Sequence, residues 1–130
     1  MKLEEHMRAL VIDDEDDLRS SLSFFLNDCE FECDESESVD HFMKNHSDKK
    51  FHEYHVIVVD ENLPGSKKGT DLVHHLRGLK YQGHIFLMTG EVNFKLELND
   101  REKVSVIEKP FNLDNFEQSL KEIRSEKEAS

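Results

Sequence analysis

Four short apolar runs, each stopped on its carboxyl side by polar groups, constrain this chain more than any other feature. They are Ala9-Leu10-Val11-Ile12, Val56-Ile57-Val58-Val59, Ile85-Phe86-Leu87-Met88 and Val104-Ser105-Val106-Ile107. All but the first are rich in β-branched or aromatic residues, and their length suits buried strands. Three are continuous rather than alternating, the pattern of a parallel sheet covered on both faces. A weaker run, Phe31-Glu32-Cys33, is the candidate fifth strand, near an edge.

Helical periodicity lies between the runs. Leu18, Leu22, Phe25 and Leu26 recur at helix spacing and define one amphipathic helix. Val39, Phe42 and Met43 define a shorter one. Leu72, Val73, Leu76 and Leu79 define a third, weakened by Gly78 inside it. Leu113, Phe116, Leu120 and Ile123 define the last, with Asn112 as its N-cap. Residues 91–103 are ambiguous. Phe94, Leu96 and Leu98 alternate with a strand period, but a crossover between parallel strands calls for a short or irregular helix. Residues 125–130 are small or charged and are expected to fray.

Strands alternating with helices give a parallel sheet with helices on both faces. At 130 residues the expected fold is one α/β domain, a flavodoxin-like doubly wound (βα)5 sandwich with strand order 2-1-3-4-5 and a core over about residues 8–124. Hydrophobic residues are only 36% of the chain, so the core is concentrated in those runs. The formal net charge of -12 repels phosphate backbones and anionic lipid, which excludes non-specific nucleic-acid binding. No apolar run approaches the roughly 20 residues needed to span a bilayer, and residues 1–8 carry no apolar signal core. With Cys29 and Cys33 read as reduced thiols, a soluble cytoplasmic protein is expected.

The polar groups at the run ends carry the chemistry. Asp13-Asp14 follow the first run, Asp60 the second and Thr89 the third. Lys109-Pro110 follow the fourth after Glu108. In an open α/β sheet, ligands bind outside the carboxyl ends of the strands, at the switch point in strand order. Asp13, Asp14 and Asp60 should therefore converge, with Thr89 and Lys109 closing the pocket. Two carboxylates about 5 Å apart repel by roughly 3 kcal/mol at an effective dielectric near 20. Three ionised together require a cation, and a hard divalent ion with oxygen ligands, Mg2+ above all, answers that need. A carboxylate can attack a phosphoryl group, and such transfer depends chiefly on alignment and charge neutralisation.

With these residues in place, the sequence closely resembles the receiver domain of two-component response regulators. The matching positions are Asp13-Asp14, Asp60, Thr89 and Lys109-Pro110-Phe111, with Leu63-Pro64-Gly65 and Gly69 resembling the loop after the acceptor. The resemblance covers about residues 8–124. It implies that Asp60 is the phosphoacceptor, and that Asp14, Asp60 and the Asn62 backbone carbonyl bind Mg2+ directly. Asp13 would hold the metal partly through water, and Thr89 and Lys109 would sense the phosphoryl group. It further implies a sensor histidine kinase or a histidine phosphotransfer protein as donor. A downstream protein partner would read a surface formed by the fourth helix, fifth strand and fifth helix. Homodimer formation, and whether the receiver stands alone or belongs to a longer regulator, are left open.

Three departures stand out. Val106 occupies a position where the family usually has an aromatic residue, Gly90 follows Thr89 where Ala is more usual, and the interval from Pro64 to Gly69 is one residue longer. Two other classes compete. An aspartate-nucleophile phosphatase would need a second Asp where Asn62 stands, and Asn cannot exchange a proton usefully. A constitutive interaction module on the same fold is kept in view by Val106. The eight histidines, among them the pairs His41 and His46, His52 and His55, and His74 and His75, are expected to be solvated surface residues rather than metal ligands.

Overall fold

Each apolar run forms a strand in the computed structural model, which describes residues 6–91, 94–96, 103–110 and 112–129. The strands are β1 (Met7–Ile12), β2 (Phe31–Ser36), β3 (Val56–Asp60), β4 (His84–Thr89) and β5 (Val104–Glu108). They form one sheet in the order β2-β1-β3-β4-β5, with every neighbouring pair parallel. That is the expected doubly wound order. The helices are α1 (Asp16–Asp28), α2 (Val39–Asn45), α3 (Gly69–Gly78) and α4 (Leu113–Ala129).

The sheet divides two cores. Leu10, Ile12, Ile57, Val59, Ile85 and Leu87 face α2 and α3, where Val39, Phe42, Leu72, Val73 and Leu76 are buried with them. Ala9, Val11, Val56, Val58, Phe86 and Met88 face α1 and α4, against Leu22, Leu26, Phe116 and Leu120. Successive strand residues point to opposite faces. A strand buried on both sides must therefore be apolar at every position, which is why these runs do not alternate. On the α1 and α4 side, Phe116 meets Phe86 edge-on at 4.9 Å and stacks on Phe25 at 5.6 Å, joining β4, α1 and α4.

Several expectations change. The weak run from Phe31 extends through Ser36 and does lie at the sheet edge. Gly78 is the last residue of α3 rather than an interior weakness, and the turn beyond uses Lys80 at φ 59°. Residues 125–129 continue α4, which runs to Ala129; Glu, Lys and Ala there are good helix formers. Asn112 does cap α4, its Oδ1 accepting from Asp114 N–H at 2.8 Å, but Leu113 is largely exposed. A short 3-10 helix, Asp48–Glu53, was not expected and buries Phe51 against Phe42 at 4.8 Å. The expected crossover helix within 91–103, and Phe111, fall largely outside the described residues. Of that stretch, Leu96 is buried in the α2 and α3 core and Phe94 packs on it.

The histidines are not uniformly solvated. His55 Nδ1 accepts the Arg8 N–H at 2.9 Å, and His75 Nε2 lies 3.0 Å from Asp48 Oδ1. His84, at the start of β4, is half-buried beside Phe86, with Nε2 2.9 Å from Ser105 Oγ. Burial pushes its imidazole below the usual 6.5. The folded protein thus binds this proton more weakly than the unfolded chain does. The stability His84 contributes is present above pH ~6.5 and is lost as pH falls through its lowered folded value. Urea unfolding at pH 7.5 and 5.5 should show the advantage of wild type over His84→Gln shrinking at the lower pH. A constant difference would refute this.

Candidate phosphoacceptor site

Parallel pairing carries the carboxyl ends of β1, β3, β4 and β5 to one end of the sheet. Asp13 follows β1 directly, its N–H donating to the Ser36 carbonyl at 3.1 Å. Asp60 is the last residue of β3, Thr89 the last of β4, and Lys109 follows β5. Carboxylate oxygens of Asp13, Asp14 and Asp60 all lie within 4.8 Å of one another. Lys109 Nζ lies 3.1 Å from Asp60 Oδ2 and 3.9 Å from Asp13 Oδ2. The sequence-predicted acids and lysine therefore do meet.

Their environments differ. Asp13 and Thr89 are fully buried, Asp60 nearly so, and Asp14 is exposed. Asp13 Oδ1 accepts the Glu15 N–H at 2.9 Å, but Oδ2 is buried without a hydrogen-bond donor among the described residues. Burial foremost, with the charges of Asp60 and Asp14 adding to it, pushes the Asp13 carboxyl above its ordinary value, against the Glu15 N–H and Lys109. An orphaned buried carboxylate oxygen among three acids is the arrangement a hard cation with oxygen ligands would satisfy. Among the described residues no other group of three or more His, Cys, Asp or Glu side chains converges in this way.

The neighbours are tied to the site by hydrogen bonds. Asn62 N–H donates to Asp60 Oδ1 at 3.2 Å. Thr89 accepts twice, at its carbonyl from Lys109 N–H at 2.8 Å and at Oγ1 from Glu91 N–H at 3.0 Å. Sequence reasoning missed two braces. Arg19 Nη1 donates to the Asp13 carbonyl at 2.7 Å while the same guanidinium pairs with Asp16 and Glu35. Glu61 Oε1 accepts from Thr70 N–H at 2.7 Å and from the Thr70 hydroxyl, fixing the start of α3 beside Asp60. Glu61 follows Asp60 directly, a signal that was available; Arg19 offered none. Gly90 has open space around the position of a Cβ, so no contact demands glycine there.

The family of response regulator receiver domains matches residues 9–121. This chain belongs to that family. Among similar proteins, the sensory transduction protein LytR of Staphylococcus haemolyticus is 27% identical over 120 residues, 91% of this chain and 45% of that protein. LytR of Staphylococcus epidermidis is 26% identical over 126 residues, 95% of this chain and 48% of that protein. The chain thus spans about half the length of the curated relatives it matches. A response regulator receiver domain protein from Clostridium thermocellum superposes with a TM-score of 0.78 at 17% identity, over 95% of this chain and 98% of that one. Response regulator TrrA from Thermotoga maritima, solved in complex with Mg2+-BeF, gives a TM-score of 0.71 at 24% identity, over 90% of this chain and 98% of that one. Both show the shared fold.

The protein is a receiver domain of a two-component response regulator, and its acidic pocket fits a phosphoacceptor site. Val106 of the receiver is 38% exposed on β5. Among the described residues no helix is long and apolar enough to cross a membrane.

The crowding of charge has a measurable cost. In metal-free protein Asp13→Asn keeps the Oδ1 acceptor for Glu15 and removes a buried charge. It is expected to stabilise the fold by about 1–2 kcal/mol and raise Tm by about 3–8 °C. Added Mg2+ should raise the Tm of wild type more than that of the variant. Thermal melts with and without Mg2+ check both, and a lower Tm for metal-free Asp13→Asn would contradict the reading.

Proposed function

We propose that this receiver accepts a phosphoryl group on Asp60 from the phosphohistidine of a sensor histidine kinase or a histidine phosphotransfer protein, in a Mg2+-dependent reaction. One observation carries the reading: Lys109 Nζ sits 3.1 Å from Asp60 Oδ2 inside a set of three carboxylates within 4.8 Å of one another. Asp13, Asp14, Asp60 and the Asn62 backbone carbonyl are the residues that would hold the ion. When bound, Mg2+ supplies positive charge that offsets the carboxylates and the incoming phosphoryl oxygens.

The chain's own groups do the rest. An Asp60 carboxylate oxygen attacks phosphorus, the phosphorus–nitrogen bond to the donor histidine breaks, and an acyl phosphate remains. The leaving imidazole keeps the bonding pair as a neutral ring. Lys109 gives up part of its pairing with Asp60 and neutralises a phosphoryl oxygen, while the Thr89 hydroxyl, an acceptor from Glu91 N–H, has its own proton free to donate to another. Asn62 two residues after the nucleophile offers no general base, which favours a signalling phosphoacceptor over a phosphatase that turns over phosphate esters.

The phosphoryl group would bias a surface read by a downstream protein partner or by a second copy of the chain, with the domain working in the cytoplasm and making no direct contact with nucleic acid. The exposed Val106 favours a second reading, a constitutive interaction module. A partner that binds Asp60→Asn and the phosphorylated protein equally well would support that second reading. The proposal itself is tested by incubating the protein with a small acyl-phosphate donor and Mg2+ and locating the adduct by mass spectrometry. One phosphoryl group on Asp60 is expected, and none without Mg2+. Unchanged mass with every donor would refute it.

A further inference from the structure

The loop from Asp60 to α3 is held at its tip by a residue of another element. Ser66 N–H donates to Asp40 Oδ2 at 2.7 Å, and the Ser66 hydroxyl lies 2.9 Å from Asp40 Oδ1 and 3.0 Å from Oδ2. Both carboxylate oxygens of one side chain thus grip one residue, 26 positions away in sequence. Asp40 stands on a firm base, because its neighbour Val39 is fully buried, Phe42 is nearly so, and Ser38 caps α2 by accepting from His41 N–H. The Ser66 N–H first, then its hydroxyl, hold the Asp40 carboxyl below the usual carboxylate range.

The grip bears on the site through a short stretch of chain. Between Asn62 and Ser66 lie Leu63, which is buried, then Pro64 and Gly65 at φ 91°. A Cβ on Gly65 would come 2.4 Å from Asp40 Oδ2, so the tip and the carboxylate are in close contact. At the near end Asn62 N–H is bound to Asp60 and at the far end Glu61 binds Thr70. The exposed middle of the loop has its only side-chain tie to another element, among the bonds described, in Asp40.

We propose that Asp40 is a positioning residue: by clamping Ser66 it fixes the height of the loop that carries the Asn62 carbonyl and so sets the affinity of the site for Mg2+. This rests on the phosphoacceptor reading, in which that carbonyl is a ligand. Groups that orient metal ligands from outside characteristically alter metal affinity by tenfold or more, and a single clamped carbonyl should fall near the lower limit.

The test uses the whole chain. Mg2+ is titrated by calorimetry into wild type, Asp40→Ala, Asp40→Asn, Ser66→Ala and the Asp40→Ala/Ser66→Ala double variant, and amide hydrogen exchange is read in metal-free protein. Asp40→Ala should weaken Mg2+ binding by about tenfold, Asp40→Asn should recover much of it through its remaining carbonyl acceptor, and the double variant should be no weaker than Asp40→Ala. Amides of Asn62 and Leu63 should exchange faster in metal-free Asp40→Ala. A merely structural role would lower Tm and leave the Mg2+ isotherm alone, and that result would overturn the proposal. If wild type itself bound no Mg2+, the phosphoacceptor reading would fall first. If wild type titrated normally and Asp40→Ala matched it, only the clamp would fall.

Discussion

Asp60→Asn should incorporate no detectable phosphoryl group under conditions that label wild type, a loss of about 10³-fold or more in rate. The substitution is nearly isosteric, and its Oδ1 still accepts the Asn62 N–H that Asp60 accepts at 3.2 Å. What disappears is the anionic oxygen that pairs with Lys109 at 3.1 Å and, in the proposed reaction, would attack phosphorus. An amide oxygen is a poor nucleophile and its phosphoryl adduct does not persist. The same change removes one of three mutually repelling charges, so the metal-free variant should melt above wild type. Loss of labelling with a raised Tm therefore separates a chemical defect from misfolding. Labelling of Asp60→Asn at the wild-type rate, or an adduct mapped to another residue, would refute the assignment.

Gly69→Ala should be damaging for so small a substitution, destabilising the fold by about 1–3 kcal/mol and lowering Tm by about 3–12 °C. A Cβ at Gly69 would stand 2.6 Å from the Asp60 carbonyl oxygen, 3.0 Å from its carbonyl carbon and 2.6 Å from Leu87 Cδ1. A flexible side-chain tip could move aside, but the carbonyl belongs to the end of β3 and is held in the sheet. Relief must then come from shifting α3 away from the strand or shifting Asp60 itself, so labelling of Asp60 should slow as well. Gly78→Ala is the control. It ends α3 with no atom beyond its own helix turn and chain neighbours within 4 Å of the position of a Cβ, and alanine there should be neutral or stabilising by up to about 1 kcal/mol. Chemical denaturation of the two variants side by side decides the matter: equal stabilities would show that close approach at Gly69 is unimportant.

The architecture and the acids of the site could be read from the chain because each depends on local pattern. Val56, Ile57, Val58 and Val59 must all be apolar to be buried between two helical layers, and a charge at the next position marks where the layers end. Once four such strands run parallel, their carboxyl ends must share one edge, and Asp13, Asp60 and Lys109 follow. Tertiary structure alone decided the polar ties that hold this edge in shape. Arg19 on the Asp13 carbonyl, Thr70 on Glu61 and Ser66 on Asp40 join partners that carry no period and no shared composition. The same holds for the turn that buries Phe51 and for the exposure of Leu113. Burial leaves a repeating trace along a sequence because water is excluded from a whole face. A hydrogen bond between a helix side chain and a distant turn leaves none, because it forms only where packing elsewhere has already brought the two together.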